Sequence, residues 1–156
     1  METYRVQGLG WQLAGVHYVR IAASNPAPLS APLPLEFADD QADSRYILVM
    51  AGQAPRATFR IRQVDQKTGQ IERVATVPNQ EGRGYGRAAV EAGEAWLAEA
   101  GCQRFLINSR TAVQTFYEKQ GYQAISQEVT GEPPFDCILL AKDYERNTLK
   151  GDDHHD

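Results

Sequence analysis

The chain has 156 residues, 42% of them hydrophobic and 23% charged, with a formal net charge of −4. That length suits a single domain with its own core, and the acidic balance disfavours nucleic acid as the main partner. Cys102 and Cys137 show neither metal spacing nor a disulfide framework, so a cytoplasmic setting and no metal are expected; the first ten residues lack signal-peptide character, and no apolar run approaches the ~20 residues of a membrane span.

In chain order, Thr3–Val6 reads as a short first strand. From Leu9 to Ala23, apolar residues fall at Leu9, Leu13, Val16 and Val19 or Arg20, and spacings of three and four predict a helix. A strand over VHYVRIA competes, since Val, Tyr and Ile favour strands. His17 on this helix either lines a ligand site or is a half-buried helix histidine. Four of the eight prolines lie between Pro26 and Pro34, which speaks against a regular helix or central strand there. A stiff connector or an active-site lid fits instead. Glu36, Asp39, Asp40 and Asp43 follow, as a solvated acidic surface or as a rim that attracts cations.

Three strands with short connections come next: RYILVMAG from Arg45, RATFRIRQV from Arg56 and IERVATV from Ile71. The first is nearly all apolar and predicts burial on both faces. The second alternates, Ala57, Phe59 and Ile61 against Thr58, Arg60 and Arg62. Gly52–Pro55 and the DQKTGQ stretch with Gly69 read as turns, which makes an antiparallel meander.

The third strand runs into EGRGYGR, where Gly82, Gly84 and Gly86 interleave with Arg83 and Arg87 ahead of a helix. Glycines let successive N–H groups face one concavity, and the helix start adds free N–H groups and the positive end of its dipole. With two guanidinium groups nearby, the stretch reads as a diphosphate cradle. Ala89, Val90, Gly93, Trp96, Leu97 and Ala100 make the inward stripe of the following helix, which Gly101 ends. Cys102–Asn108 reads as a strand parallel to Ile71–Val77, closing one βαβ crossover. Ser109 is a candidate N-cap for a helix with Val113, Phe116 and Tyr117 facing inward. A hairpin around Gly131, Pro133 and Pro134 follows, and the tail from Tyr144 is polar and expected to fray.

Gly84–Ala89 also fits the dinucleotide pattern G-x-G-x-x-G/A, but three antiparallel strands precede it and the next strand ends at Asn108 instead of an acid. A nucleotide P-loop requires lysine where Arg87 stands.

Two motifs together resemble those of the GNAT-type N-acetyltransferases. Glu81-Gly82-Arg83-Gly84-Tyr85-Gly86 aligns with the family's Q/R-x-x-G-x-G/A between a strand and a helix. Phe116-Tyr117-Glu118-Lys119-Gln120-Gly121-Tyr122 aligns with its F-Y-x-K-x-G-F/Y. One helix and one strand separate them, as in the family, and the resemblance spans about Arg45 to Lys142. It departs at Glu81, where the family has Gln or Arg, and at Arg110, where many relatives carry Asn.

The resemblance implies an α/β (α+β) fold: a mixed, mostly antiparallel central sheet flanked by helices, with one parallel βαβ crossover after the glycine turn. Residues 1–143 form one acyltransferase domain in this reading and 144–156 a tail. It implies acetyl-CoA as cosubstrate, with the diphosphate on Gly82, Arg83, Gly84, Tyr85, Gly86 and Arg87. The pantetheine arm pairs with Val74, Ala75 and Thr76. A primary amine attacks the thioester directly, Tyr117 is the general acid, and Glu72, on the strand beside the thioester, is the candidate base. Glu72 paired with Arg60, Arg62 or Arg73 is the competing reading. The acidic cluster suggests a cationic amine acceptor, and a homodimer is compatible with the sequence. A catalytically idle CoA-binding sensor or interaction module is the alternative function.

Overall fold

The computed structural model describes residues 1–23 and 33–144. Its strands are β1 (Glu2–Gln7), β2 (Arg45–Ala51), β3 (Ala54–Gln63), β4 (Thr68–Thr76), β5 (Arg104–Arg110), β6 (Gln123–Thr130) and β7 (Cys137–Asp143). They form one sheet in the order β1-β2-β3-β4-β5-β7-β6. The helices are α1 (Trp11–Ala23), α2 (Leu33–Glu36), α3 (Tyr85–Glu99) and α4 (Gln114–Glu118), the last entered through a 3-10 turn at Thr111–Val113. The crossover expected after the glycine turn is the step from β4 through α3 to β5. By packing, the described residues fall into two compact units, one within Met1–Arg62 and Ile71–Trp96, the other within Gln63–Gln70 and the described chain from Leu97.

In the first unit, β1 pairs antiparallel with β2 from Glu2↔Met50 to Gln7↔Arg45, and β2 pairs antiparallel with β3 with a register shift between Val49 and Met50. Tyr46 to Met50 are all buried, as the continuous apolar run of β2 requires. The alternation expected in β3 does not translate into an exposed face: Ala57 to Ile61 are all buried. Thr58 satisfies its hydroxyl by donating to the Ile47 carbonyl at 2.6 Å, and Arg60 is met by carboxylates. Such pairing is what makes a polar strand face tolerable inside a protein.

The helix reading of α1 holds over the strand reading. Val16 and Val19 are fully buried with Val6, Tyr46, Leu48 and Met50, each worth roughly 1.5–3 kcal/mol of apolar burial. Leu9, expected on the same stripe, precedes the helix and is 96% exposed. On α3, Ala89 and Val90 are buried, and Gly93 lets Phe59 approach so closely that a Cβ would sit 2.5 Å from the ring. Trp96 lies under the guanidinium groups of Arg5 and Arg45, 5.5 and 5.6 Å from its ring centre. Ala100 falls beyond the helix and is exposed, and Ala98 is buried in its place.

The expectation that no helix fits the proline-rich stretch is corrected at Leu33–Glu36. Pro34 stands in the first turn, where a helix needs no N–H from it. The connector or lid over the preceding prolines lies outside the described residues.

In the second unit, the turn into β4 comes earlier than Gly69. Val64 and Asp65 donate to the Thr68 carbonyl, and the Asp65 carboxylate accepts from the Lys67 N–H at 2.9 Å. Gly69 is instead a strand residue, where a Cβ would lie 2.7 Å from both δ-carbons of Leu97. Strands β5 and β7 pair antiparallel along their full length, and β6 pairs with β7 with a shift between Ala124 and Val129. Ser109 does not cap a helix. It lies inside β5 and donates to the Arg110 carbonyl at 2.8 Å. The 3-10 turn that intervenes has three residues per turn, so it changes which side chains face inward. Tyr117 is buried, while Val113 and Phe116 are 47% and 39% exposed, contrary to expectation. Of the tail expected to fray from Tyr144, Tyr144 itself is held: its N–H donates to the Gln103 carbonyl at 2.8 Å and its ring lies edge-on to Phe105 at 5.9 Å, while the residues after it lie outside the described residues.

Candidate functional site

The glycine turn leads directly into α3. Gly82 and Gly84 take φ of 79° and 86°, a region costly for residues with a Cβ. The Gly84 carbonyl accepts the Ala88 N–H at 3.0 Å, so Gly84 stands at the cap of α3 and the N–H groups just after it have no helical partner. A Cβ on Gly82 would meet nothing within 4 Å, and one on Gly84 only the Met1 Cε at 3.9 Å. The protein therefore does not need these glycines for packing. They serve the backbone conformation and leave open space before the helix start. Arg83 and Glu81 are exposed at its rim, and Tyr85 and Gly86 form the first turn. Arg87 pairs with Glu91 one turn on, at 3.2 Å, on an open surface.

Along β4, Ala75 packs against the cluster of Val6, Val16 and Leu48, while Val74 on the other side is 43% exposed. Arg73, just before them, is in the left-handed region with φ 53°. For a residue with a side chain this costs roughly 1–2 kcal/mol, and it re-aims the peptide groups that follow.

Glu72, the candidate base, accepts from Arg60 Nε at 2.8 Å, and its other oxygen is 3.5 Å from Arg62 Nε. The Asp40 carboxylate also meets Arg60, and its second oxygen accepts from Arg20 Nη1 at 2.7 Å and from the Tyr46 hydroxyl at 2.9 Å. Asp39 accepts from Arg60 and Arg73, both at 3.0 Å. Glu36 lies 3.4 Å from Arg20 Nε. Glu36, Asp39 and Asp40, expected as open surface or cation rim, thus bind the protein's own arginines, and the Asp43 backbone carbonyl accepts from Gln7 at 3.0 Å.

The hydrogen bond from Arg60 holds the Asp39 carboxyl well below the usual carboxylate range, against the opposing effect of burial and with help from Arg73. Burial works against the Arg60 charge, but Asp39 and Glu72 outweigh it and raise its pKa further. Burial lowers the pKa of His17, only partly offset by Asp40. Its half-buried ring stacks edge-on to Phe37 at 5.0 Å. Sequence reasoning missed Arg20 and Arg60 as organisers of this region. The signal was present: Arg20 occupies an apolar-stripe position of α1, and Arg60 a strand position flanked by core residues.

In the second unit, Tyr117 is 4% exposed, with Phe116 and Tyr122 edge-on to its ring at 5.0 and 6.2 Å. Burial pushes its pKa up to about 12, against a smaller lowering by Arg110. Among the described residues its hydroxyl has no hydrogen-bond partner. It is protonated at neutral pH and able to donate. Among the described residues no group of three His, Cys, Asp or Glu side chains could hold a metal ion. None of the helices there is long and apolar enough to cross a membrane.

The family model of the Acetyltransferase (GNAT) family matches residues 16–122. A Bacillus subtilis (strain 168) protein named provisionally as an acetyltransferase is 33% identical over 93 residues; the match spans 60% of this chain and 63% of that relative. The uncharacterized N-acetyltransferase YjcF of the same strain is 28% identical over 114 residues, 73% of this chain and 81% of its own. The crystal structure of Escherichia coli ElaA superposes with a TM-score of 0.75 at 21% identity, over 91% of this chain and 99% of ElaA. The glycine turn and the Phe116–Tyr122 segment both lie within the matched residues, and the chain belongs to the GNAT family of acetyltransferases.

Proposed function

We propose that residues 1–143 transfer an acetyl group from acetyl-CoA to a primary amine by direct attack. The observation that carries this reading is the glycine turn, with Gly82 and Gly84 at positive φ and open space before the first N–H groups of a 15-residue helix. Those N–H groups, with Arg83 and Arg87, suit a diphosphate. Bound there, acetyl-CoA supplies an activated thioester carbonyl. The main chain at Val74, Ala75 and Thr76 holds the pantetheine arm, and the left-handed backbone at Arg73, which breaks the regular strand, supports a role for the peptide N–H groups after it in polarising that carbonyl.

Tyr117 donates a hydrogen bond to the departing sulfur. With a pKa near 12, complete transfer to an ordinary thiolate is uphill by about 5 kcal/mol. Its contribution is therefore a hydrogen bond that strengthens as negative charge develops on sulfur. The ion pairs of Glu72 favour a positioning role, holding Arg60, over a role as base, and a water chain then takes the amine proton.

The test is calorimetry with CoA together with turnover of acetyl-CoA against a panel of amines. CoA binding with turnover supports the reading. Binding without turnover of any amine returns the protein to the sensor alternative, and no binding removes the cradle.

A further inference from the structure

A second concave region lies wholly within the first unit, between the start of β1, one face of α1 and the β2–β3 turn. Its cavity is about 710 Å³. Tyr4, Trp11 and Tyr18 line it, with Met50 behind them and the Glu2 carboxylate at its edge. None of the glycine-turn or β4 residues assigned to acetyl-CoA takes part. The rings of Tyr4 and Trp11 meet edge-on, with centres 5.5 Å apart and planes at 78°, so they present differently oriented π faces. Trp11 and Tyr18, two turns apart on one face of α1, are 59% and 54% exposed. The Tyr4 hydroxyl donates to Glu2 at 2.9 Å and keeps the carboxylate beside the rings.

Two further observations say what suits this space. First, the cavity is lined by one carboxylate and by no lysine, arginine or histidine. Second, other aromatic faces of this protein carry its own cations: Arg5 and Arg45 on Trp96, Arg20 on Phe37, Arg110 on Phe135 and Lys142 on Tyr122. Among the described residues no cation stacks on Tyr4, Trp11 or Tyr18. Electron-rich faces around a single carboxylate attract a cation with an apolar shell. A bare metal ion needs more oxygen ligands than Glu2 alone provides. An anion meets an unfavourable charge.

We propose that this groove binds an organic ammonium ion, alkylated or quaternary, at a site separate from the acetyl-CoA cradle. The aromatic faces and the Glu2 carboxylate recognise the charge, and Met50 and the ring edges contact the alkyl groups. The proposal does not rest on the acetyltransferase reading, and its test uses no acetyl donor.

The full chain is titrated with tetramethylammonium chloride at constant ionic strength, and the two tryptophan indole N–H signals are followed by NMR. Trp11→Phe assigns them. The expected result is a saturable shift of the Trp11 signal with the Trp96 signal unmoved. The neutral near-isostere tert-butyl alcohol should bind roughly tenfold more weakly or not at all. Glu2→Gln, at an exposed position, should weaken tetramethylammonium about two- to fivefold without changing the melting temperature. Trp11→Leu keeps apolar bulk but removes the π face, and calorimetry should then show no binding. Absence of a saturable shift overturns the proposal. So does equal affinity for the neutral alcohol, which marks a plain apolar groove, or unchanged affinity in Glu2→Gln.

Discussion

Asp39 accepts a 3.0 Å hydrogen bond from Nη2 of Arg73, the residue of β4 whose backbone is in the left-handed region at φ 53°. Asp39 lies in the turn that follows α2, so this bond ties the segment after the proline-rich stretch to the point where β4 departs from regular strand geometry. The same carboxylate accepts from Arg60. A strained backbone persists when its surroundings over-determine it, and this pair is one such constraint.

Asp39→Asn should therefore lower the melting temperature, more at neutral pH than in acid. The Asp39 pKa is depressed in the folded chain, so its contribution is fully present above the unfolded value near 4 and declines as pH falls below that. Thermal unfolding from pH 7 to pH 3 checks this: the gap between wild type and variant should hold down to about pH 4 and begin to narrow below it, with most of the convergence lying below pH 3. A constant gap across that range means that the charge of Asp39 is not what stabilises the fold.

Arg20 has a side chain 1% exposed, between Asp40 and Glu36. Removing one partner of a buried ion pair leaves uncompensated charge and typically costs about 3–5 kcal/mol. Arg20→Ala should show a loss of that order in urea unfolding. Arg20→Ala combined with Asp40→Asn should recover part of it. A loss below 1 kcal/mol, on the scale of an exposed pair, would show that water screens this cluster.

Gly84→Val places a branched side chain at φ 86° and in the open space before α3. CoA affinity should fall by at least about tenfold, because both the N–H directions and the approach of a diphosphate are affected. Unchanged affinity by calorimetry excludes the turn as the cradle. In the wild type, affinity should decrease with added salt, since Arg83 and Arg87 are exposed.

Tyr117→Phe keeps the buried ring and removes a hydroxyl that has no partner among the described residues. The melting temperature should be unchanged or slightly higher. If Tyr117 donates to the leaving sulfur, kcat should fall at least tenfold, within the roughly 10²–10⁴-fold range of acid catalysis or just below it, with CoA affinity preserved. Its pKa of about 12 also means that it loses no proton below about pH 11, so no alkaline limb in the rate profile up to pH 10 belongs to it. Preserved kcat assigns the proton to solvent.

Glu72→Gln separates a positioning role from a base. As a holder of Arg60, it should lower stability and leave the acidic limb of kcat/KM against pH in place. Loss of that limb, with stability intact, would make Glu72 the base in spite of its arginine partners.

Local chemistry was enough to read much of this protein from its residues. The apolar run of β2, the spacing of Val16 and Val19, the glycines at 82 and 84 and the stop at Gly101 each act through near neighbours in the chain. Together with the Phe116–Tyr122 segment they carried the family. Only the tertiary structure decided where the charges go. Asp39, Asp40 and Glu36 look like solvated surface in sequence, because their arginine partners lie 16 to 34 residues away. Likewise, Thr58 and Arg60 look like an outward face until the Ile47 carbonyl and the carboxylates of Asp39, Asp40 and Glu72 take up their polar atoms. Gly69 looks like a turn until Leu97 fills the space its missing side chain leaves. The aromatic groove, too, exists only because β1, α1 and the β2–β3 turn bring Glu2, Trp11 and Met50 together. Periodicity and turn chemistry are properties of a segment, whereas ion pairing, close approach and concavity depend on which distant segments meet.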